Sequence, residues 1–162
     1  MPSNLQSQRS LGEQLAIWQP LRSFACWLPL FLPRLARVHA ELGQFKEAWR
    51  GIGRATNLAE TTKEIWCEAE IHRTAGEIAL MSPEPDVDKS QDYFERALEV
   101  ARAQQAKSWE LRAATSMARL WREQGKRDEA RELLAPIYGW FTEGFDTMDL
   151  KEAKTLLDEL AS

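Results

Sequence analysis

Three arginines in the second half of the chain are spaced so that one helix would carry them on one side. Arg112, Arg119 and Arg122 lie at i, i+7 and i+10, and residues at such intervals share a face of an α-helix. A guanidinium group binds a carboxylate through two parallel hydrogen bonds, so the stripe predicts a clamp for an acidic peptide segment or a terminal carboxylate. The alternative is a solvated basic stripe balanced by Glu110 and Glu123, and the spacing alone leaves both open.

The two histidines, His39 and His72, offer little to catalysis or to metal binding. His72 follows Glu68 by four residues, but one histidine and one glutamate are too few for a zinc site and no HExxH motif is present. A phosphate-binding loop is not indicated either, because Gly51 and Gly53 fall inside a predicted helix and lack the required lysine. We therefore expect a protein that is not an enzyme and that holds no metal or other cofactor.

The net charge of the chain comes from its C-terminal end. The 162 residues carry 21 Lys+Arg and 25 Asp+Glu, a net charge of −4, and residues 142–162 hold six acids against two lysines. A basic tail or arm is missing from this pattern, so we expect no nucleic-acid partner. The longest apolar run, residues 24–32, is well short of the ~20 residues that span a bilayer, and an export signal is not recognisable. We expect no membrane association and a cytoplasmic location.

Composition and spacing predict that helical hairpins position these side chains. The chain has 21 Ala and 20 Leu but only 6 Ile and 3 Val, which favours helices over a large sheet. Tryptophans recur at intervals of 39 and 43 residues, and a small residue follows each by nine positions. These residues are Trp27, Trp66 and Trp109, followed by Ala36, Ala75 and Ala118. Such a repeat predicts hairpins that must stack, because one hairpin cannot bury its apolar face alone.

Glycines mark the predicted turns of two hairpins. Gly43 opens the phrase GQFKEA and Gly125 opens GKRDEA, and a glycine with positive φ is suited to end a helix. In the middle copy a Pro/Asp-rich loop replaces the glycine, with Asp86 or Asp88 as the helix N-cap, and Asp146 or Thr147 caps the last helix. The larger residues that we expect in the seams between paired helices are Leu35, Phe45, Met117 and Leu134.

These signals predict one all-α domain over residues 1–162. Its parts are an N-terminal helical segment 1–20, with the helix itself over 4–18, then three hairpins and a C-terminal capping helix. The hairpins are predicted over residues 24–62, 63–106 and 108–141, and the capping helix over residues 146–160. Their helices are expected over 24–42, 44–60, 63–81, 88–105, 108–124 and 127–140.

The GxxxEA phrases, each with a small residue about seven positions upstream, resemble the tetratricopeptide repeat. From Trp66 to Leu160 a more specific resemblance rests on the phrases WCEAEIHR, YFERAL, LRAATSMARLW and LAPIYGWFTEGFDTMDLKEA. These phrases look like the C-terminal repeat region of large bacterial signalling proteins that couple a class III adenylate/guanylate cyclase domain to a predicted ATPase. The resemblance implies a tetratricopeptide-like helical-hairpin solenoid that acts as an interaction or regulatory module. It implies no catalysis, because nothing in this sequence corresponds to the cyclase and ATPase domains.

If the first helices of the hairpins line an inner groove, the residues that face it are Arg37, His72, Arg112, Arg119 and Arg122. We expect this groove to bind a protein or peptide partner, with an acidic segment as the favoured ligand, as a scaffold or sensor in a signalling pathway. The acidic C-terminal end also permits self-association. The alternative is a small-ligand sensor with a pocket near the aromatic segment that contains Tyr138, Trp140, Phe141 and Phe145, although these aromatics also suit closure of the last repeat.

Overall fold

The computed structural model describes residues 28–63 and 65–162, and every regular element in this part of the chain is helical. The α-helices are α1 Leu28–Glu41, α2 Phe45–Thr62, α3 Glu68–Met81, α4 Val87–Ala103, α5 Lys107–Glu123, α6 Arg127–Gly139 and α7 Met148–Ala161. A short 3₁₀ helix, Ile65–Cys67, precedes α3. The all-α prediction is thus confirmed for the described residues. The predicted helix over 4–18 and the tryptophan at position 27 lie outside them.

Two glycines turn the chain between paired helices, as predicted. Gly43 has φ +75° and Gly125 has φ +80°, in the left-handed region that a side chain disfavours. The amide N–H of the next residue closes each turn: Gln44 donates to the carbonyl of His39 at 2.8 Å, and Lys126 donates to the carbonyl of Trp121 at 2.8 Å. These turns let α2 and α6 begin within a few residues of the helices before them.

Of the residues predicted as alternative N-caps, Asp86 and Thr147 occupy the N-cap positions, and they behave differently. Asp86 caps α4, because its Oδ1 accepts a hydrogen bond from the Lys89 amide at 3.0 Å. Thr147 occupies the N-cap position of α7, but its side chain makes no capping hydrogen bond. The Thr147 hydroxyl donates instead to the carbonyl of Gly144 at 2.7 Å. The hydroxyl therefore stabilises the turn before α7 rather than the first turn of the helix itself.

Each helix packs against the next one along the chain, and the odd-numbered helices also pack against one another. The additional pairs are α1 with α3, α3 with α5, and α5 with α7. Side chains that are far apart in sequence therefore meet along this row of four helices. Among the described helices, none has the length and apolar character needed to cross a bilayer.

Small residues fill the seams between helices. The buried alanines, each at most 1% exposed, include Ala36, Ala48, Ala55, Ala75, Ala97 and Ala118. Helices α1 and α2 approach closely at Gly51, where an added Cβ would lie 3.0 Å from the Cβ of Ala36. This proximity requires a residue without a side chain on α2.

The predicted larger seam residues are only partly correct. Met117 and Leu134 are buried, and Phe45 is half-buried. The prediction that Leu35 fills a seam is wrong, because its side chain is 54% exposed. The buried face of α1 includes Ala36 and Ala40, and Leu35 lies on a neighbouring face that no described helix covers.

Candidate functional site

A buried pair of opposite charges lies near the middle of the odd-numbered row. Glu70, in the first turn of α3, is 2% exposed, and Arg73 follows it one turn later. Arg73 Nε donates to Glu70 Oε2 at 2.7 Å, and Arg73 Nη2 donates to Glu70 Oε1 at 2.9 Å. Two parallel hydrogen bonds of this kind fix both side chains in one orientation.

This pair connects α3 to the helices on both sides. Arg73 also donates to Glu77 and, at 3.2 Å, to the Ser116 hydroxyl of α5. Glu77 accepts from Arg37 of α1 at 2.8 Å, and Glu70 forms an ion pair with Arg112 of α5, with 2.9 Å between Oε1 and Nη2. The result is a continuous network of charge-assisted hydrogen bonds across α1, α3 and α5.

The surroundings of Arg73 keep its guanidinium charged. Burial opposes the charge, but the hydrogen bonds and negative charges of Glu70 and Glu77 outweigh burial and raise the pKa of Arg73 above its usual value. A buried ion pair with satisfied hydrogen bonds contributes little net stability, yet removing one partner is costly. The network therefore links the three helices, and loss of either Glu70 or Arg73 would leave a buried charge without its partner.

The arginine stripe of α5 pairs with carboxylates of α7. Arg119 Nη2 lies 2.9 Å from Glu152 Oε2, and Arg112 Nε lies 3.8 Å from Asp149 Oδ1. Arg122 forms an ion pair with Glu159. The acidic end of the chain thus contacts the basic stripe of the same chain.

We expected two acids of α5, Glu110 and Glu123, to balance the charge of the arginine stripe. Their contacts with the stripe are few. Glu123 Oε1 is 4.0 Å from Arg122 Nη2. Glu110 is buried and binds Arg102 at 2.9 Å and Lys107 at 2.7 Å. Burial opposes the charge of Glu110, but these two cations outweigh it and lower the pKa of this carboxyl.

A cavity of about 270 Å³ lies where α1, α3, α5 and the start of α7 meet. We call it the central groove. The arginines that line it are Arg37, Arg73, Arg112 and Arg119. Its acidic residues are Glu77, Asp149 and Glu152, with Thr115, Ser116 and Met148 between them. The lining is thus rich in hydrogen-bond donors and acceptors of both charges.

The predicted site residues divide into three groups. Arg37, Arg112 and Arg119 line the central groove. Arg122 lines an adjoining cavity of about 280 Å³ between α5 and α7, which Arg119 also borders. His72 lines neither of these cavities.

His72 faces a different side of α3, toward a small cavity of about 60 Å³ beside α2. Its Nε2 is 3.6 Å from Glu68 Oε1, and its ring stacks on Tyr93 with 6.3 Å between centroids. Burial lowers the pKa of His72 and the positive charge of Arg96 adds to this effect, while Glu68 acts in the opposite direction. The structure therefore separates His72 from the arginines with which the sequence grouped it.

Sequence reasoning missed Arg73, which replaces His72 in the central groove. The signal was present, because Glu70, Arg73 and Glu77 are spaced at i, i+3 and i+7, and such spacings put acids and a base on one helix side. The rotation of α3 about its axis decides whether His72 or Arg73 faces the groove. Ile71, Ala75 and Ile78 lie in the core that α3 shares with α1 and α2, and their burial turns Arg73 inward.

The aromatic segment that begins at the end of α6 forms no closed pocket in the described part of the chain. Tyr138 and Phe141 pack partly against the core, whereas Trp140 and Phe145 are exposed. Trp140 and Phe141, with Lys107, border an open depression of about 670 Å³. These aromatics therefore partly close the last hairpin and partly face solvent.

Within the described residues, no three His, Cys, Asp or Glu side chains are grouped as a metal site would require. Comparison of the sequence with protein-family models, with curated proteins and with solved structures found no match. The geometry of the chain itself is therefore the basis for assigning a function.

Proposed function

We propose that this chain is a tetratricopeptide-like helical-hairpin module that binds an acidic segment of a partner protein in the central groove. The observation that carries the proposal is the convergence of four arginines from α1, α3 and α5 on one cavity. The packing of alternate helices in a row supports a solenoid in which successive hairpins present one face each. Binding, not catalysis, is the role that this surface suits.

The outer arginines of the groove retain capacity for a ligand. The side chains of Arg37 and Arg119 are 47% and 41% exposed, although each already contacts a carboxylate. A guanidinium group has more N–H donors than one carboxylate uses. A ligand carboxylate can therefore join these contacts, or replace Glu152 on Arg119, without leaving a buried charge alone.

The carboxylates of α7 indicate what ligand chemistry the groove accepts. Asp149 and Glu152 approach Arg112 and Arg119 from one helix, three residues apart. A partner segment with two similarly spaced carboxylates would present the same groups to the groove. Because the buried network holds the helices in place beforehand, less conformational freedom is lost on binding.

The resemblance to bacterial cyclase–ATPase signalling proteins extends the proposal to a biological role. Under it, the module is a scaffold or sensing element of a signalling pathway in the bacterial cytoplasm. The small-ligand alternative has less support, because the depression beside Trp140 and Phe141 is open to solvent rather than enclosed.

The test is a fluorescence-anisotropy titration with a labelled peptide in which Glu pairs are spaced three residues apart. We compare the wild type with Arg37→Ala/Arg119→Ala. The matched control is Arg50→Ala/Arg96→Ala, which removes the same charge from arginines that are 61% and 56% exposed and pair only within their own helices. We expect the groove variant to bind at least about tenfold more weakly, because each lost charge-assisted hydrogen bond is worth about 1.5–3 kcal/mol.

The control variant should bind nearly as well as the wild type. Equal weakening by both variants would show that the peptide senses only overall charge. The proposal would be overturned if the wild type bound the peptide no better than it binds a scrambled peptide of equal charge.

A further inference from the structure

Helices α5 and α7 run parallel to each other with a crevice between them. Their ion pairs follow the same order along both helices: Arg112 with Asp149, Arg119 with Glu152, and Arg122 with Glu159. The first and last members on each helix are ten residues apart, which is about 15 Å at the rise of an α-helix. The crevice therefore offers an elongated surface for a ligand.

This crevice begins at the central groove. The central groove and the cavity of about 280 Å³ between α5 and α7 share three lining residues, which are Arg119, Met148 and Glu152. The two cavities therefore meet at these side chains. A ligand that occupies the central groove can continue into the crevice along the surface of the protein.

Met148 presents an apolar side chain where the two cavities meet. It is the first residue of α7 and is 69% exposed. Leu156, which is buried on the same helix, also lines the crevice. The unbranched, flexible side chain of methionine adapts to apolar groups of different shapes. This position therefore suits an apolar side chain of a ligand, placed between charged groups on either side.

Lys151 supplies a cation that the described part of the chain does not neutralise. Its ammonium group forms no ion pair or hydrogen bond with the described residues, whereas Lys154, one turn later, binds Asp158 at 2.9 Å. The sequence explains the difference, because no acidic residue lies three or four positions before or after Lys151. Lys151 is exposed and lines the crevice together with Arg122. A carboxylate in the crevice can pair with Lys151 without displacing an existing contact.

The two cavities together carry a surplus of positive charge. Their linings hold six basic and four acidic side chains, although the whole chain has a net charge of −4. Such a local surplus attracts a negatively charged ligand. An extended segment rises about 3.3 Å per residue, so about five residues cover the length of the crevice.

We propose that the acidic partner segment continues from the central groove into the crevice, where an apolar residue packs on Met148 and a further carboxylate pairs with Lys151. This inference rests on the proposed function and defines the partner more closely. The segment carries an acidic pair for the central groove, followed within about five residues by an apolar residue and a third acidic residue.

The test measures whether lengthening the peptide increases its affinity, by fluorescence anisotropy. The pair peptide, with two Glu residues spaced three apart, is lengthened by about five residues that include one Leu and one Glu. Two such peptides carry the added residues before or after the pair, which covers both directions of the segment. In the matched peptides Ser and Gln replace the added Leu and Glu. We expect one longer peptide to bind the wild type at least about fivefold more tightly than its match, since it adds an apolar contact and an ion pair.

The variant Met148→Ala/Lys151→Ala identifies where the added residues bind. The control is Val87→Ala/Lys154→Ala, because Val87 is also the exposed first residue of a helix and neither control residue lines the two cavities. For each protein we compare the affinity of the longer peptide with that of its match, which cancels any effect on the shared Glu pair. We expect the gain to fall below about twofold in the crevice variant and to stay at fivefold or more in the control.

Two results would overturn this inference while the proposed function stands. If the pair peptide bound the wild type and neither longer peptide gained affinity, the partner segment would end in the central groove. If the gain survived Met148→Ala/Lys151→Ala, or fell equally in the control, the added residues would bind elsewhere. Failure of the pair peptide to bind the wild type better than its scrambled form would overturn the proposed function and this inference together.

Discussion

At the scale of single residues, Glu70 and Arg73 are the pair on which the groove depends. Both are nearly excluded from water, and together they contact α1 and α5 through Glu77, Ser116 and Arg112. A buried charge is tolerated only when it is paired and hydrogen-bonded. Loss of one partner therefore affects the helices on both sides of α3.

The first prediction concerns this pair. Glu70→Gln keeps the shape of the side chain but leaves Arg73 and Arg112 without its negative charge. We expect the free energy of unfolding to fall by at least about 2 kcal/mol, part of the effect being offset by Glu77. Urea denaturation measures the change. The control Glu99→Gln, at a 68% exposed carboxylate paired with Arg96, should change it by less than about 0.5 kcal/mol.

Gly76 permits close packing of α3 on α4. A Cβ at this position would lie 2.5 Å from Cε1 of the Phe94 ring, and Phe94 is buried. We predict that Gly76→Ala lowers the free energy of unfolding by about 1–3 kcal/mol through overpacking. Gly53→Ala is the control, because nothing lies within 4 Å of its Cβ position. This change should instead add about 0.5–1 kcal/mol through helix propensity. Equal effects of the two substitutions would contradict the packing seen at Phe94.

His72 predicts a specific dependence of stability on pH. Burial lowers its pKa below the usual 6.5 in the folded protein, with Glu68 raising and Arg96 lowering it. The unfolded chain therefore binds a proton more readily, and folding is penalised once the pH falls through about 6.5. The penalty stops growing below the folded-state pKa.

We expect His72→Gln to lose less stability than the wild type when the pH is lowered from 7.5 to 5.5. Parallel urea denaturations at several pH values measure this difference, and they cancel the titration of carboxylates common to both proteins. Coincident pH profiles of the two proteins would mean that burial does not shift the titration of His72.

At the scale of helices, small residues decide how closely α1 to α6 pack. Ala48 and Ala118 are fully buried, whereas Ala135 of α6 is exposed. Ala48→Leu and Ala118→Leu should each lower the midpoint of urea denaturation, at a cost of about 1–3 kcal/mol. Ala135→Leu adds the same atoms at an exposed position and should change the midpoint little. Tolerance of leucine at both buried positions would mean that the assignment of the seams is wrong.

The bounds of the helices were largely predictable from sequence, because local signals specify them. Glycines that take positive φ end α1 and α5, and Asp86 begins α4 with its own side chain. These are properties of a few adjacent residues. The seam alanines were predictable for a related reason. Each lies at a fixed spacing from a tryptophan of the repeat, and this regular spacing of small residues indicates where two helices approach closely.

The rotation of each helix about its axis was harder to predict, and the errors at Leu35 and His72 both come from it. The rotation of a helix depends on which of its side chains are buried against the neighbouring helices. Ile71 and Ile78 enter the core shared with α1 and α2, which directs Arg73 rather than His72 to the groove. The pairing of the acidic end with the arginine stripe was not foreseen either, because it requires knowing that α7 packs on α5.

At the scale of the whole molecule, the two ends of the described row of helices differ in chemistry. At one end α7 covers the arginine stripe with carboxylates and buries Leu150, Ala153, Leu156 and Leu160. At the other end α1 exposes the apolar side chains of Phe31, Leu35 and Val38. The central groove lies between them, so its shape depends on helices that are held by buried charges in the middle and by different contacts at each end.

The central claim is that an acidic segment binds to the arginines of the central groove. The most direct test is to follow arginine Nε–Hε signals by NMR while the peptide with paired glutamates is added. We predict that the signals of Arg37, Arg112 and Arg119 shift and saturate together, whereas those of Arg50 and Arg96 stay in place. Shifts confined to Arg50 and Arg96, or spread evenly over all arginines, would contradict it.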